Sequence, residues 1–156
     1  MKLLLLTTAD NAVRSYLFSL GNTLVLDWAD FPDRATYLDA VSRIIATERD
    51  IDCLLTYRCP YFIPYDIYAS VSHAFNLHPS LLPKYPGLNP WPAFLESKDL
   101  RGGVTLHELS PVLDGGQIIL QAGYYRGASD NLETLRNKAD RLAAEIIKEY
   151  LETGFR

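Results

Sequence analysis

The sequence predicts an α/β protein, a three-layer α/β/α sandwich around a mostly parallel sheet. Three observations carry that expectation. Short apolar runs alternate with stretches of helical periodicity in the order β-α-β-α-β through the first half. The second half holds further strands and short helices and closes on one long amphipathic helix. The chain of 156 residues, 48% hydrophobic and 22% charged, suits a single domain spanning 1–156 with a core of its own.

Each element has its own signal. Residues 2–8 form a short apolar run ended by threonines, as in a buried strand. Asp10 is placed to cap a helix whose apolar stripe is Val13, Tyr16, Leu17 and Leu20, stopped by Gly21-Asn22. A second strand covers 23–28. Pro32-Asp33 leads into a helix through about Glu48, with Tyr37, Val41, Ile44 and Ile45 on one face. A third strand covers 52–57, a helical turn 64–71, and a fourth strand 74–78. A short helix over 91–97, strands over 104–109 and 117–124, and a Gly115-Gly116 turn between those strands follow. The last helix starts at Asp130, with Glu133 in capping-box position. Leu132, Leu135, Ala139, Leu142, Ile146 and Tyr150 form its buried stripe, and Gly154 is placed to end it.

Composition narrows the function. A net charge of −4 without a long basic run argues against nucleic acid as a partner. Two cysteines, Cys53 and Cys59, make neither a disulfide framework nor a four-ligand zinc site, and are expected reduced near one buried strand. The N-terminal apolar run, Leu3–Leu6, is too short for a signal-peptide core or a membrane span. A cytoplasmic protein is expected. In an α/β sheet, ligands bind beyond the carboxyl ends of the strands. The segments 57–62 and 78–87 therefore belong at the binding rim. The first βα turn, Thr7-Thr8-Ala9-Asp10-Asn11, has no glycine and offers no phosphate cradle.

The most informative stretch is Asn76-Leu77-His78-Pro79-Ser80-Leu81-Leu82-Pro83-Lys84-Tyr85-Pro86-Gly87. In extended backbone, residues i and i+2 point to the same side, so Asn76 and His78 face one volume. Three prolines then stiffen the loop and remove three backbone donors. Asp114, in Leu113-Asp114-Gly115-Gly116, is either a turn former or a third member of the set. Asn, His and Asp together supply acid–base and oxyanion groups. A metal site built from His78, His107 and Asp114 is a competing reading, without a short ligand pair to support it. His107 either lines the same cleft or simply crosses the sheet. His73 reads as a surface or strand-edge residue. Ser80 lacks the surroundings of a hydrolase nucleophile.

The stretch 76–87 resembles the signature of the 10-formyltetrahydrofolate-dependent formyltransferases. A second block, 103–107 through Leu113-Asp114-Gly115-Gly116-Gln117-Ile118-Ile119-Leu120-Gln121, resembles that family's second signature, in the same order and at similar separation. The form of the first block is nearest to phosphoribosylglycinamide formyltransferase. It is also similar to the methionyl-tRNA and sugar-nucleotide enzymes. The resemblance implies a Rossmann-like formyltransferase fold and the transfer of a formyl group from 10-formyltetrahydrofolate, the donor cofactor, to the amine of a small-molecule acceptor. It implies Asn76, His78 and Asp114 as catalytic residues, with Asp114 holding His78 and favouring its charged form. Pro60, Tyr61 and Phe62, together with Ser110, Pro111, Val112 and Leu113, are implied as the folate-binding segments, acting largely through backbone. Pro60 and Pro111 cannot donate there.

The chain departs from the family at its N-terminus, which reads as shorter by about one βα unit. It also ends short of the methionyl-tRNA enzyme's C-terminal domain, which with the acidic charge argues against tRNA. A folate-binding protein without turnover and a 10-formyltetrahydrofolate hydrolase remain alternatives. So does a subunit completed by a partner or by a second copy in a homo-oligomer. Asp140, on the last helix, is either a ligand for a substrate amine or part of a solvated face.

Overall fold

The computed structural model describes residues 1–153. Six strands form one sheet in the order β2-β1-β3-β4-β5-β6. They are β1 (Lys2–Thr7), β2 (Thr23–Asp27), β3 (Ile51–Tyr57), β4 (His73–His78), β5 (Arg101–Glu108) and β6 (Ile118–Tyr125). The four strands from β2 to β4 are parallel, and β5 and β6 add antiparallel. The helices are α1 (Ala12–Ser19), α2 (Arg34–Thr47), α3 (Tyr65–Tyr68), α4 (Trp91–Glu96) and α5 (Leu132–Thr153). The expected three layers are present.

The leucine run of β1 has a physical reason. Successive side chains point to opposite faces, and both faces are covered. Leu3 and Leu5 pack with α1 and α5 through Val13, Leu17, Leu135 and Ile147. Leu4 and Leu6 pack on the other face with Tyr37 and Val41 of α2 and Tyr68 of α3.

Several boundaries differ from expectation for local reasons. Asn11, not Asp10, caps α1, its side chain accepting from the Arg14 N–H at 2.8 Å. Leu20 falls past that helix and is exposed. Strand β2 ends at Asp27, whose carboxylate caps a 3₁₀ turn over Trp28–Asp30. Strand β5 starts at Arg101, taking in a glycine pair left outside the expected strand. A Cβ at Gly103 would lie 2.3 Å from the Ala122 carbonyl oxygen, so glycine here permits close strand pairing. Helix α5 starts at Leu132, and its reciprocal cap is Asn131 with Thr134. Asp130 lies outside the helix and bonds Gly127 N–H and Lys138 instead. Leu132 is consequently exposed rather than part of the buried stripe. Gly154 lies outside the described residues. Both cysteines are free, Cys53 buried and Cys59 partly so. Among the described residues, no helix is long and apolar enough to cross a membrane.

Candidate active site

A cleft of about 460 Å3 opens at the carboxyl ends of β1, β3 and β4, where an α/β sheet places its ligands. The expected pairing of Asn76 and His78 is met: both line the cleft from one face of β4. Strand register then lines up three side chains across the sheet, because Thr56 lies beside Asn76 and Asn76 beside His107. The Thr56 hydroxyl donates to Asn76 Oδ1 at 2.7 Å. Asn76 Nδ2 lies 3.1 Å from His107 Nε2. His107 Nδ1 lies 2.8 Å from the Glu108 carbonyl oxygen, which can only accept. Nδ1 therefore carries the proton, and the neutral ring accepts the Asn76 N–H at Nε2. With Oδ1 and one amide hydrogen engaged, the Asn76 amide is fixed with its second N–H free for a ligand.

His107 thus lines the cleft rather than merely crossing the sheet. Asp114 joins from the β5–β6 turn. Its side chain is buried, with Oδ1 3.7 Å from His78 Nδ1 and 3.5 Å from His107 Nε2. Oδ2 accepts the Gly87 N–H at 2.7 Å and so ties the turn to the proline loop. Among the described residues, no group of three His, Cys, Asp or Glu side chains has the arrangement to hold a metal ion.

The proline loop is held from within. Ser80 is buried and its hydroxyl donates to the Lys84 carbonyl at 2.6 Å, a structural bond. Thr105 Oγ1 donates to the Ser80 carbonyl and accepts from Leu82 N–H, while Gln121 Nε2 donates to the Leu82 carbonyl. Thr56, Thr105 and Gln121 escaped the sequence reading. Their signal was faint: threonines at odd–even positions that match the Asn76–His78 face across the sheet.

Among the described residues, the four non-glycine residues with positive φ are Ala9, Arg58, Tyr85 and Asp114. Three of them line the cleft, and the fourth gives His78 its carbonyl partner. Such backbone costs on the order of 1 kcal/mol or more per residue and concentrates at sites that need a fixed shape.

Burial is the largest influence on His78 and lowers its pKa. The Tyr85 carbonyl, 2.8 Å from Nε2, and the Asp114 charge pull upward, and His107 adds to the lowering. Asp114 does favour the imidazolium, as expected, but burial outweighs it. For Asp114, burial pushes upward; the neighbouring His107, the Gly87 N–H bond and His78 outweigh it and hold the carboxyl below its usual range. Both groups therefore bind protons less readily folded than unfolded. Each contributes stability above its unfolded pKa, about 6.5 for His and 3.9 for Asp, that is lost as pH falls. Replacing Asp114 by asparagine removes an upward influence on His78. In Asp114→Asn the His78 ring should titrate at lower pH than in the parent, read from imidazole NMR signals of a chain with three histidines. An unchanged or higher midpoint would contradict this geometry.

The remaining residues divide. Pro60, Tyr61, Phe62, Ser110, Val112 and Leu113 line the cleft, and Pro111 does not. Phe62, Val112 and Leu113 expose apolar surface suited to a flat ring. The carbonyls of Arg58 and Phe62 are already engaged, by the Trp28 indole and by Arg34. His73 stands apart, half-buried and stacked on Phe75. Asp140 is half-buried and already engaged within the fold. It accepts from the Tyr57 hydroxyl and the Ala12 N–H, each at 2.8 Å.

Comparison with known proteins gives this cleft a setting. Residues 22–151 match the family model described as Formyl transferase. The trifunctional purine biosynthetic protein adenosine-3 of Drosophila pseudoobscura pseudoobscura is 32% identical over 117 residues, covering 74% of this chain and 8% of that protein. Phosphoribosylglycinamide formyltransferase of Haemophilus influenzae is 36% identical over 85 residues, covering 52% of this chain and 40% of that protein. The chain thus spans less than half the length of either curated relative. Among solved structures, a formyltetrahydrofolate deformylase from Pseudomonas syringae pv. tomato superposes with a TM-score of 0.81 at 18% identity, over 96% of this chain and 59% of that one. That likeness concerns the fold.

Proposed function

Because the chain belongs to the formyl transferase family, we propose that it moves a formyl group from 10-formyltetrahydrofolate to the amine of a small acceptor. The observation that carries the reading is the convergence of Asn76, His78, His107 and Asp114 on one cleft. The folate ring would lie against the segments around Tyr61–Phe62 and Val112–Leu113. The acceptor nitrogen attacks the formyl carbon, and the formyl oxygen gains negative charge. The free Asn76 N–H and a protonated His78 Nδ1 are the donors for that oxyanion. His78 Nε2 stays on the Tyr85 carbonyl, so Nδ1 is the nitrogen that works. Burial makes the imidazolium a stronger acid, ready to pass its proton to the folate nitrogen as the C–N bond breaks. Asp114 orients His78 and, directly or through water, takes a proton from the attacking amine.

The net charge of −4 supports a small acceptor over tRNA. The two free cysteines suit a reducing, cytoplasmic setting. The test is incubation of the full chain with 10-formyltetrahydrofolate and a panel of amines, following tetrahydrofolate and formate. Amine-dependent turnover without free formate is expected. Amine-independent formate would make water the nucleophile, and binding without turnover would leave a folate-binding protein. No folate binding would end the reading.

A further inference from the structure

Thr56 belongs to β3, where it pairs with Leu6 of β1 on one side and with Asn76 of β4 on the other. It is 4% exposed and lines the cleft. All three strands are interior to the sheet, and a β-branched side chain is stiff at χ1. The place of its hydroxyl is therefore set by the sheet itself. A hydroxyl has one proton to give. Two acceptors lie within reach of this one: Asn76 Oδ1 at 2.7 Å and the Phe75 carbonyl oxygen at 3.5 Å. The shorter contact takes the proton. None is left to donate to a ligand, so any donor effect of Thr56 on a bound molecule passes through Asn76.

For Asn76 the contact matters because a side-chain amide turns easily about its last bond. The Nδ2 contact with His107, taken alone, would act as a hinge. Oδ1 has no other hydrogen-bond partner among the described residues, and the Thr56 hydroxyl gives the amide its second point of attachment. The bonds also run in one direction: Thr56 O–H to Asn76 Oδ1, Asn76 N–H to His107 Nε2, His107 Nδ1–H to the Glu108 carbonyl. A hydrogen bond accepted at the amide oxygen polarises the amide and strengthens its remaining N–H as a donor. Resting on the formyl-transfer reading, we infer that Thr56 is a positioning residue, which aims the free Asn76 N–H at the formyl oxygen and strengthens it for the oxyanion. Its loss should slow the chemical step and leave binding of donor and acceptor as they were.

Thr56→Val keeps a β-branched side chain and removes the hydroxyl. In the full chain it should lower the single-turnover rate about three- to tenfold, the worth of one neutral hydrogen bond. Tetrahydrofolate affinity and the acceptor KM should not move, and Thr56→Ser should recover most of the rate. A double-mutant cycle separates this role from simple packing: once Asn76→Ala has removed the amide, adding Thr56→Val should cost less than about twofold. The side-chain amide NMR signals of Asn76 supply a readout independent of turnover, and they should shift in Thr56→Val and return towards the parent in Thr56→Ser. A parental rate in Thr56→Val, an equal loss with and without the Asn76 amide, or unmoved Asn76 signals would each overturn the inference. A parent chain without turnover strikes the formyl-transfer reading alone, and the Asn76 signals then decide the role of Thr56.

Discussion

Replacing His78 by alanine should lower the rate of formyl transfer by about 100-fold or more, the usual consequence of losing one oxyanion donor. Asp114→Asn should act on a similar scale for a different reason. The amide can still accept the Gly87 N–H, so the loop keeps its tie. It cannot stabilise the imidazolium or take a proton from the amine. The two variants should differ in stability: His78→Ala also strands the Tyr85 carbonyl, a loss of about 1–3 kcal/mol. Single-turnover rates with parallel thermal melts check both. Near-parental turnover in either variant would remove that residue from the mechanism.

The second large effect is expected at Gly116. A Cβ there would lie 1.8 Å from the Glu108 carbonyl oxygen and 2.7 Å from its carbon, so backbone must move. That carbonyl holds the proton of His107 Nδ1, and the Glu108 N–H donates to Gln117. Gly116→Ala should therefore destabilise the protein by about 1–3 kcal/mol, as overpacking does. It should also disturb the His107 tautomer that orients Asn76 and cut turnover at least about tenfold, as a lost catalytic contact does. Gly115→Ala is the control. Its Cβ would meet Val112 Cγ1 at 2.8 Å and Val112 Cβ at 2.9 Å, a smaller overlap than at Gly116 and against an exposed residue of the turn. Urea titration and turnover of the pair should separate them clearly; equal behaviour would refute the crowding argument.

What the sequence revealed depended on the range of the contact. The β1 leucines, the α2 stripe and the Asn76–His78 pairing follow from local periodicity. Asp114 was ambiguous in its own turn, and the family-like second block gave it a role that local grammar could not. His107 stayed open because alternation fixes a face, whereas the Glu108 carbonyl that fixes its tautomer depends on a bend at the end of β5. Asp140 was expected on a solvated face or at a substrate amine, and the structure instead engages it within the fold. Its partners lie 83 and 128 residues away in the chain, and helical periodicity says nothing about them. The glycines at 102–103 fell outside the expected strand because strand propensity disfavours glycine, yet close packing against β6 and the proline loop requires them.

The position of the β5–β6 hairpin has a further consequence. β6 is the margin of the sheet, and the turn between β5 and β6 carries Asp114, with His107 one strand in. Marginal elements open locally at lower free energy than a buried centre. Part of the chemistry is thus mounted at an edge of the sheet, while Asn76 and His78 sit on the interior strand β4. Inactivation and unfolding are then separate events with separate barriers, and a molecule that has lost its reaction can still hold most of its structure.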